Sequence, residues 1–356
     1  MAKYSVGLIG TGVRRREDGT VRFGMNAHHA RGYQELPELC ELVACADIKP
    51  ANAERFAQEF GIPRTYTDYE QMLAQEELDI VSISTWTPLH ADMVVTCAGA
   101  GLQAIHCEKP MATTWGDCKR MAAACEEADC RLTFNHQRRF GKPFRMIRDL
   151  IREGRVGEVR RLEFTCSNLY DWGTHQFNMM GMFNGERPAT WAMAQVDYRT
   201  ERLIFNTHNV NSAIAVWQYD NGVHGFCATG GAGDAMGAFI RVLGTDGIIE
   251  MCPAGDDMPT LRILGGGSGW EKLDTEGESI GGGDYVSRAI RDVVTALDQD
   301  GRSELCAENA LRSTEIIFAC YESVRRRGRL ELPLQIEDNP LVAMVESGEL
   351  SPRPRD

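Results

Sequence analysis

The sequence predicts an α/β domain with a doubly wound parallel sheet, followed by an α+β domain with an open, mostly antiparallel sheet. Three observations predict this. Up to about residue 135, short apolar runs alternate with stretches of helical spacing. After residue 160 the texture changes to strand-like runs joined by tight-turn signals. A chain of 356 residues also exceeds what a single core usually holds, so two domains are expected.

Taken in order, Val6-Gly7-Leu8-Ile9, Leu42-Val43-Ala44-Cys45-Ala46, Ile80-Val81-Ser82-Ile83 and Ala104-Ile105-His106-Cys107 have the continuous apolar character of buried parallel strands. Arg131-Leu132-Thr133-Phe134-Asn135 follows as the last of them. Between them, residues 51–60, 68–75, 89–99 and 114–128 carry helical spacing and good helix formers. In the second half, Asp220-Asn221-Gly222 and Thr245-Asp246-Gly247 favour turns with positive φ, hence hairpins. Helices at 284–298 and 307–326 are expected to pack near the antiparallel sheet. Residues 265–283, rich in Gly and Ser, are expected to form a mobile loop. The domain limits are set at 1–137 and 138–340, with 341–356 as a C-terminal tail whose last ten residues are expected to be poorly ordered.

A formal net charge of −13 argues against a nucleic-acid partner, which would need a concentrated positive field. The twelve cysteines are scattered without a Cys-x-x-Cys pair, which fits a reducing compartment, and cytoplasmic location is expected. No apolar N-terminal stretch is long enough for a signal peptide or a membrane span. His28 and His29 stand on the first helix without the carboxylate or cysteine spacing of a metal site, so no metal is expected. Val210, Ala213, Ala215 and Trp217 alternate along one run, giving one sheet face an apolar character. Such a face needs a cover, which predicts a homodimer or homotetramer through sheet faces.

Chemistry concentrates in three places. Gly10-Thr11-Gly12 directly follows the first strand, where a first glycine permits a tight turn and a second lets backbone N–H groups approach a pyrophosphate. Arg15 stands where a third glycine is usual; Val13 to Phe23 is read as an insertion, and Gly24 as the displaced third glycine. Asp47 closes the second strand, where a carboxylate accepts ribose hydroxyls and repels a 2′-phosphate, favouring NAD over NADP; a helix N-cap is its alternative role. Lys49 and the run Arg14-Arg15-Arg16 are within reach of a phosphate, and one arginine is expected on the pyrophosphate. Glu108-Lys109-Pro110 and, about sixty residues on, Asp171-Trp172-Gly173-Thr174-His175 supply a cation, an orienting carboxylate and an imidazole. That set suits removal of an alcohol proton while a hydride leaves the same carbon.

With Gly7 to Gly12, Thr87-Pro88-Leu89-His90, Asn135 through Arg138-Arg139-Phe140, and Gly154-Arg155-Val156-Gly157-Glu158-Val159 added in order, the chain resembles the Gfo/Idh/MocA family of sugar and polyol oxidoreductases. The likeness continues to Glu308-Asn309-Ala310-Leu311 and Leu330-Glu331-Leu332-Pro333. It implies an N-terminal Rossmann domain and an open antiparallel sheet with flanking helices. It implies that Lys109 is the catalytic lysine, preceding a cis proline bond, and that His175 is the acid–base, with Asp171 orienting it or binding substrate. It also places Thr85, Trp86, Pro88, His90 and Glu108 at the cofactor and Asn178 at the substrate. By their own chemistry, Tyr170 and Trp172 suit stacking on a pyranose face, with core packing as the alternative, and Arg138 suits contact with substrate hydroxyls, with bridging of the domains as the alternative. One departure is Asn178, where relatives often carry an aspartate; an amide binds a hydroxyl without adding charge.

The expected function is oxidation of a secondary hydroxyl of a sugar, cyclitol or sugar derivative with NAD. Two other outcomes suit the same fold: cleavage of a glycoside by transient oxidation and elimination, and a non-catalytic NAD-binding sensor. Retention of both Lys109 and His175 speaks against the sensor.

Overall fold

Tyr4–Ile9 (β1) is apolar on both faces and its last four residues are fully enclosed, as a central parallel strand requires. The computed structural model describes residues 3–15, 21–255, 257–267 and 269–354, with backbone only at 14, 15 and 21. The chain divides into two units. The first holds Met1–Thr113, Asp117–Gln137 and Gly283–Ala310; the second holds Thr114–Gly116, Arg138–Gly282 and Leu311–Asp356.

In the first unit, β1 is followed by Val13–Arg15 (β2), Val21–Phe23 (β3), Cys40–Ala46 (β4), Arg64–Tyr66 (β5), Ile80–Ile83 (β6), Ala104–Cys107 (β7) and Arg131–Phe134 (β8). Six of these form one sheet in the order β5-β4-β1-β6-β7-β8, every pair parallel. The order reverses beside β1, the place where open α/β sheets bind their ligands. The connections carry helices Asn26–Gln34 (α1), Pro50–Phe60 (α2), Tyr69–Gln75 (α3), Thr87–Ala98 (α4) and Trp115–Glu127 (α5).

The insertion after Gly12 is an antiparallel hairpin, β2 with β3. Its base is fastened by Phe23, whose ring meets Phe56 and Phe60 of α2 edge-on at 5.5 and 5.9 Å. The helix Tyr285–Asp298 departs from expectation. It belongs to the first unit, where Val286, Ile290 and Val294 join Ala27, Ala30 and Tyr33 in one apolar cluster. Gly32 makes the approach possible, because a Cβ there would lie 2.9 Å from Ile290.

The second unit contains the helices Lys142–Arg152 (α6) and Gly173–Phe183 (α7), and most of a long helix, Ala307–Arg326 (α9, with Tyr285–Asp298 as α8). Its strands are Val159–Cys166 (β9), Ala189–Asp197 (β10), Leu203–Ile204 (β11), Thr207–His208 (β12), Ser212–Tyr219 (β13), His224–Thr229 (β14), Ala238–Gly244 (β15), Gly247–Pro253 (β16), Leu261–Gly265 (β17), Glu271–Leu273 (β18) and Leu330–Glu331 (β19). Nine of them build one sheet, β18-β17-β16-β15-β9-β14-β13-β10-β19, in which only β14 and β9 run parallel. Both hairpins expected from the Asn-Gly and Asp-Gly signals are present, joining β13 to β14 and β15 to β16.

Ala213, Ala215 and Trp217 do share one face, but it is the covered one. Trp217 is fully enclosed, with Phe177 of α7 at 4.9 Å and Phe164 of β9 at 6.0 Å. Its indole also crosses Gly225, where a Cβ would stand 1.9 Å from the ring. The open face therefore belongs to the alternate residues of these strands, among them Met193 and Ile214. Two further expectations are corrected. The stretch 265–283 contains β18, paired with β17. The presumed tail carries a helix, Pro340–Glu346 (α10), because Asn339 caps the N–H groups of Leu341 and Val342, while Leu341 and Met344 are buried. Beyond it Arg353 forms a bridge with Thr200.

Candidate active site

In the first unit the turn after β1 is built for close backbone approach. Gly10 has φ of 86°, and a Cβ on it would strike the Ser84 carbonyl oxygen at 2.7 Å. The Gly10 N–H donates to the Ala46 carbonyl, and Asn26, at the start of α1, donates through Nδ2 to the carbonyls of Ile9 and Gly10 at 2.7 and 2.9 Å. Gly24 returns the chain to this turn: its N–H donates to the Gly12 carbonyl at 2.9 Å, and a Cβ there would sit 3.2 Å from that oxygen. The side chains of Arg14, Arg15 and Arg16, expected near the pyrophosphate, lie outside the described residues.

Asp47 is half-buried and its carboxylate is shared. One oxygen accepts the Thr11 N–H at 3.0 Å and lies 3.4 Å from the Thr11 hydroxyl; the other accepts from the Lys49 N–H and Asn52 Nδ2 at 2.9 and 3.1 Å. It ties the glycine turn to the start of α2 but does not cap that helix, whose N-cap position is Lys49 with no side-chain cap. The nearest atom to a Cβ on Gly12 would be that carboxylate, 3.9 Å away, which leaves the cradle open. A turn that admits no side chain at Gly10, open space at Gly12 and a carboxylate at the end of β4 together fit a dinucleotide. Thr85 flanks Gly10, Trp86 precedes α4 as an exposed ring, and Pro88 opens that helix.

His90 is enclosed. Its Nδ1 lies 2.9 Å from the Pro110 carbonyl oxygen and 3.2 Å from that of Met111, and Nε2 lies 3.3 Å from that of Thr85. Burial holds the imidazole below its ordinary range, against the opposing pull of the carbonyls. Its ring nitrogens face the backbone, so it fastens the segment after Lys109. The Lys109–Pro110 bond is cis, as the resemblance implied. Glu108 is 7% exposed and turned inward: Oε1 accepts from His29 Nε2 at 3.1 Å and Asn135 Nδ2 at 2.6 Å, and Oε2 accepts the Lys109 N–H at 3.2 Å. Burial alone would raise its carboxyl, but the bonds from His29 and Asn135 and the charges of His29 and Lys109 outweigh this and hold it down to about 2. His106 lies behind, its ring 4.9 Å from that of His29, and burial pushes it down to about 3.

In the second unit α7 begins at Gly173, so Asp171 stands in the turn before it and not on the helix. The turn is set by Asn168, whose Oδ1 accepts the Trp172 N–H and whose carbonyl accepts the Gly173 N–H, at 3.0 and 3.1 Å. Asn209 Oδ1, from the polar run Asn206-Thr207-His208-Asn209, accepts the Asp171 N–H at 3.1 Å and so helps to set this turn. Asp171 and His175 are both buried. Trp172 keeps an exposed ring with the Arg138 guanidinium 4.6 Å over it, whereas Tyr170 is enclosed beside Phe318. Asn178 is bound inward: its Oδ1 accepts from Arg139 at 2.9 Å, and its Nδ2 donates to Ser313 Oγ at 3.4 Å. Arg139 also pairs with Glu186. Among the described residues no group of three or more His, Cys, Asp or Glu could hold a metal ion, and no helix is long and apolar enough to cross a membrane.

The sequence carried no signal for Asn26 or Asn168, and Asn209 stood out only as part of a polar cluster that reads as a loop. His29 was noticed, but only as a missing metal ligand.

The model of an oxidoreductase family with an NAD-binding Rossmann fold matches residues 5–136, and that of the same family's C-terminal alpha/beta domain matches residues 136–332. Curated relatives include D-apiose dehydrogenase of Paraburkholderia graminis, 33% identical over 41% of this chain and 39% of that protein. Myo-inositol 2-dehydrogenase of Thermotoga maritima is 23% identical over 62% of this chain and 66% of that protein. These matches span less than two thirds of the relatives' length. Among solved structures, a levoglucosan dehydrogenase in complex with NADH and levoglucosan has a TM-score of 0.78 at 19% identity, covering 94% of this chain and 100% of that one. The WlbA dehydrogenase of Bordetella pertussis, in complex with NADH and UDP-GlcNAcA, has a TM-score of 0.73 at 22% identity over 94% and 100%. At such identities the likeness speaks to the fold.

Proposed function

The chain belongs to the Gfo/Idh/MocA oxidoreductase family, and from that membership we propose that it is an NAD-dependent dehydrogenase oxidising a secondary hydroxyl of a sugar, cyclitol or sugar derivative. Relatives named for apiose and myo-inositol support the substrate class. The observation that carries the reading is the anchoring of Lys109. Its N–H is held by Glu108 on one side, and the two carbonyls after it lie within reach of His90 Nδ1 on the other. A lysine whose backbone is held in this way at the end of β7 is suited to present its ammonium to a developing alkoxide.

Gly10, Thr11, Gly12 and Asp47 hold the dinucleotide, with Thr85, Trp86 and Pro88 on the neighbouring loop. Bound NAD supplies the hydride acceptor. His175 takes the hydroxyl proton, and the Lys109 ammonium stabilises the oxygen that loses it. Asp171 orients the imidazole or accepts a substrate hydroxyl. Trp172, with Arg138 stacked on it, offers the apolar ring for a sugar face; enclosure of Tyr170 and the inward bonds of Asn178 favour supporting roles for those two. The carboxylate of Asp47 favours NAD over NADP. Twelve free cysteines support a reducing, cytoplasmic setting. The open face of the second sheet is assigned to a homodimer or homotetramer contact.

A panel of sugars and cyclitols with NAD, followed at the NADH absorbance band, tests the reading. Lys109→Ala and His175→Ala should each lower kcat by roughly 10²–10⁴-fold while leaving NAD binding within a few-fold of the parent. Full turnover in both variants would remove the assignment. Release of aglycone from glycosides without NADH would move it to the elimination chemistry.

A further inference from the structure

We propose that His29 is a positioning residue for Lys109, acting through Glu108. The inference rests on the dehydrogenase reading for the role of Lys109, but the contacts that carry it are independent of that reading. His29 comes from α1, about eighty residues before Glu108 in sequence, and is fully enclosed. A carboxylate oxygen only accepts, so His29 Nε2, 3.1 Å from Glu108 Oε1, carries a proton and donates it there. Nδ1 is buried without a hydrogen-bond partner, so the ring is oriented through Nε2, which faces Glu108 Oε1 and has the Asn135 amide 3.2 Å away. Asn135, directly after β8, donates to the same oxygen. The second oxygen, Oε2, takes the Lys109 N–H. Helix α1, strand β8 and the end of β7 are thus fastened at a single carboxylate, and the residue on its outer side is Lys109.

A carboxylate so enclosed stays charged only while donors surround it. The groups facing it are His28 and His29 on α1, His90 on α4, His106 and Cys107 on β7, Lys109 itself and Asn135 after β8, with His136 near His106. Among the described residues, His29, Asn135 and Lys109 bond it directly; burial keeps His90 and His106 below their ordinary range, so they add little positive charge near neutrality. Without His29, burial would dominate and the Glu108 proton would be retained to higher pH. A protonated Glu108 no longer accepts the Lys109 N–H with charge assistance, and the lysine's direction loosens.

The test compares the full-length parent with His29→Leu and His29→Gln. Gln can restore a donor to Oε1 without the ring. In His29→Leu, kcat should fall roughly 10- to 100-fold with the NAD KM little changed, and the acid limb of kcat/KM should move up by at least one pH unit. His29→Gln should recover most of both. Separately, carboxyl-labelled NMR of the protein without substrate, with Glu108→Gln to assign the signal, should show the Glu108 midpoint rising in His29→Leu. An unmoved midpoint and acid limb would overturn the proposal, as would a Gln variant indistinguishable from Leu. If the parent turned over no sugar, the dehydrogenase reading would fail while the NMR shift still decided whether His29 holds Glu108. Should His29→Leu fail to fold, Asn135→Ser removes the other donor to Oε1 and carries the same expected shift and the same overturning result.

Discussion

His106 shows how one enclosed side chain sets the acid limit of the fold. Its Nδ1 lies 2.9 Å from Thr133 Oγ1, and that hydroxyl donates onward to the Ile105 carbonyl at 3.2 Å, so the ring is neutral with its proton on Nδ1. Its folded value of about 3 is depressed from 6.5, so between these limits the unfolded chain binds a proton the native one does not. Stability therefore falls as pH drops from 6.5 toward 3, by up to about 1.4 kcal/mol per pH unit. Glu108, depressed from 4.5 to about 2, contributes stability above 4.5 and loses it only as pH falls through its own lower window. Between pH 6.5 and 4.5 the histidine effect is therefore separable. His106→Asn, which keeps a donor toward Thr133, should flatten the pH dependence of the urea midpoint in that window; a slope equal to the parent's would contradict a neutral buried ring. The slope should not vanish, because His90 is depressed in the same direction. At this scale legibility followed locality. Gly10, Asp47 and Lys109 announce themselves because their chemistry depends on immediate neighbours. Asn26, His29 and Asn135 do not, because their partners are fixed by how α1, β7 and β8 come together.

At the scale of elements, helix α8 separates what periodicity specifies from what it omits. Its limits and its apolar stripe were legible, but a stripe does not name the surface it covers, and the helix joins the first unit's core and not the antiparallel sheet. The missing information sits at Gly32, one residue in another helix. There a Cβ would lie 2.9 Å from both Cβ and Cγ1 of Ile290 and 3.2 Å from the Ser287 Cα, and the last of these is backbone that cannot rotate away. Replacing glycine by alanine inside a helix normally gains up to about 1 kcal/mol. Here overpacking should win, giving a net loss of about 1–3 kcal/mol. Thermal melts of Gly32→Ala, Ile290→Ala and the double variant check this: the two losses should be strongly non-additive, because each change relieves the other. Strict additivity would show that the helices do not meet there. The insertion hairpin follows the same logic. Its sequence marked an interruption, while its anchor, Phe23 on Phe56 and Phe60, required the fold.

Across the whole molecule, the alternation in β13 correctly indicated one apolar face, but alternation alone cannot say which face the chain's own helices will cover. The covered face took Ala213, Ala215 and Trp217. On the open face, one row runs straight across paired strands: Met193, Val216, Phe226, Glu163, Arg241, Glu250, Arg262. Its first part is apolar; the rest alternates in charge. In that ladder Arg241 spans Glu163 and Glu250 at 3.1 and 2.7 Å, while Arg262 pairs with Glu250 at 2.5 Å. The acidic partners are satisfied within the sheet, so covering this face would not strand a carboxylate, and the apolar part supplies the drive. Met193 begins that row and Ile214 stands beside it on the same face of β13, 45% and 50% exposed. The parent should therefore have a multiple of 39.6 kDa by light scattering at micromolar concentration, and should keep it in 0.5 M salt, because the drive is apolar. Ile214→Asp should reduce the mass to that of one chain, with secondary structure retained by circular dichroism, since the side chain is already half in water. A monomeric parent, or an aspartate variant that keeps the parent's mass, would rule out assembly through this face.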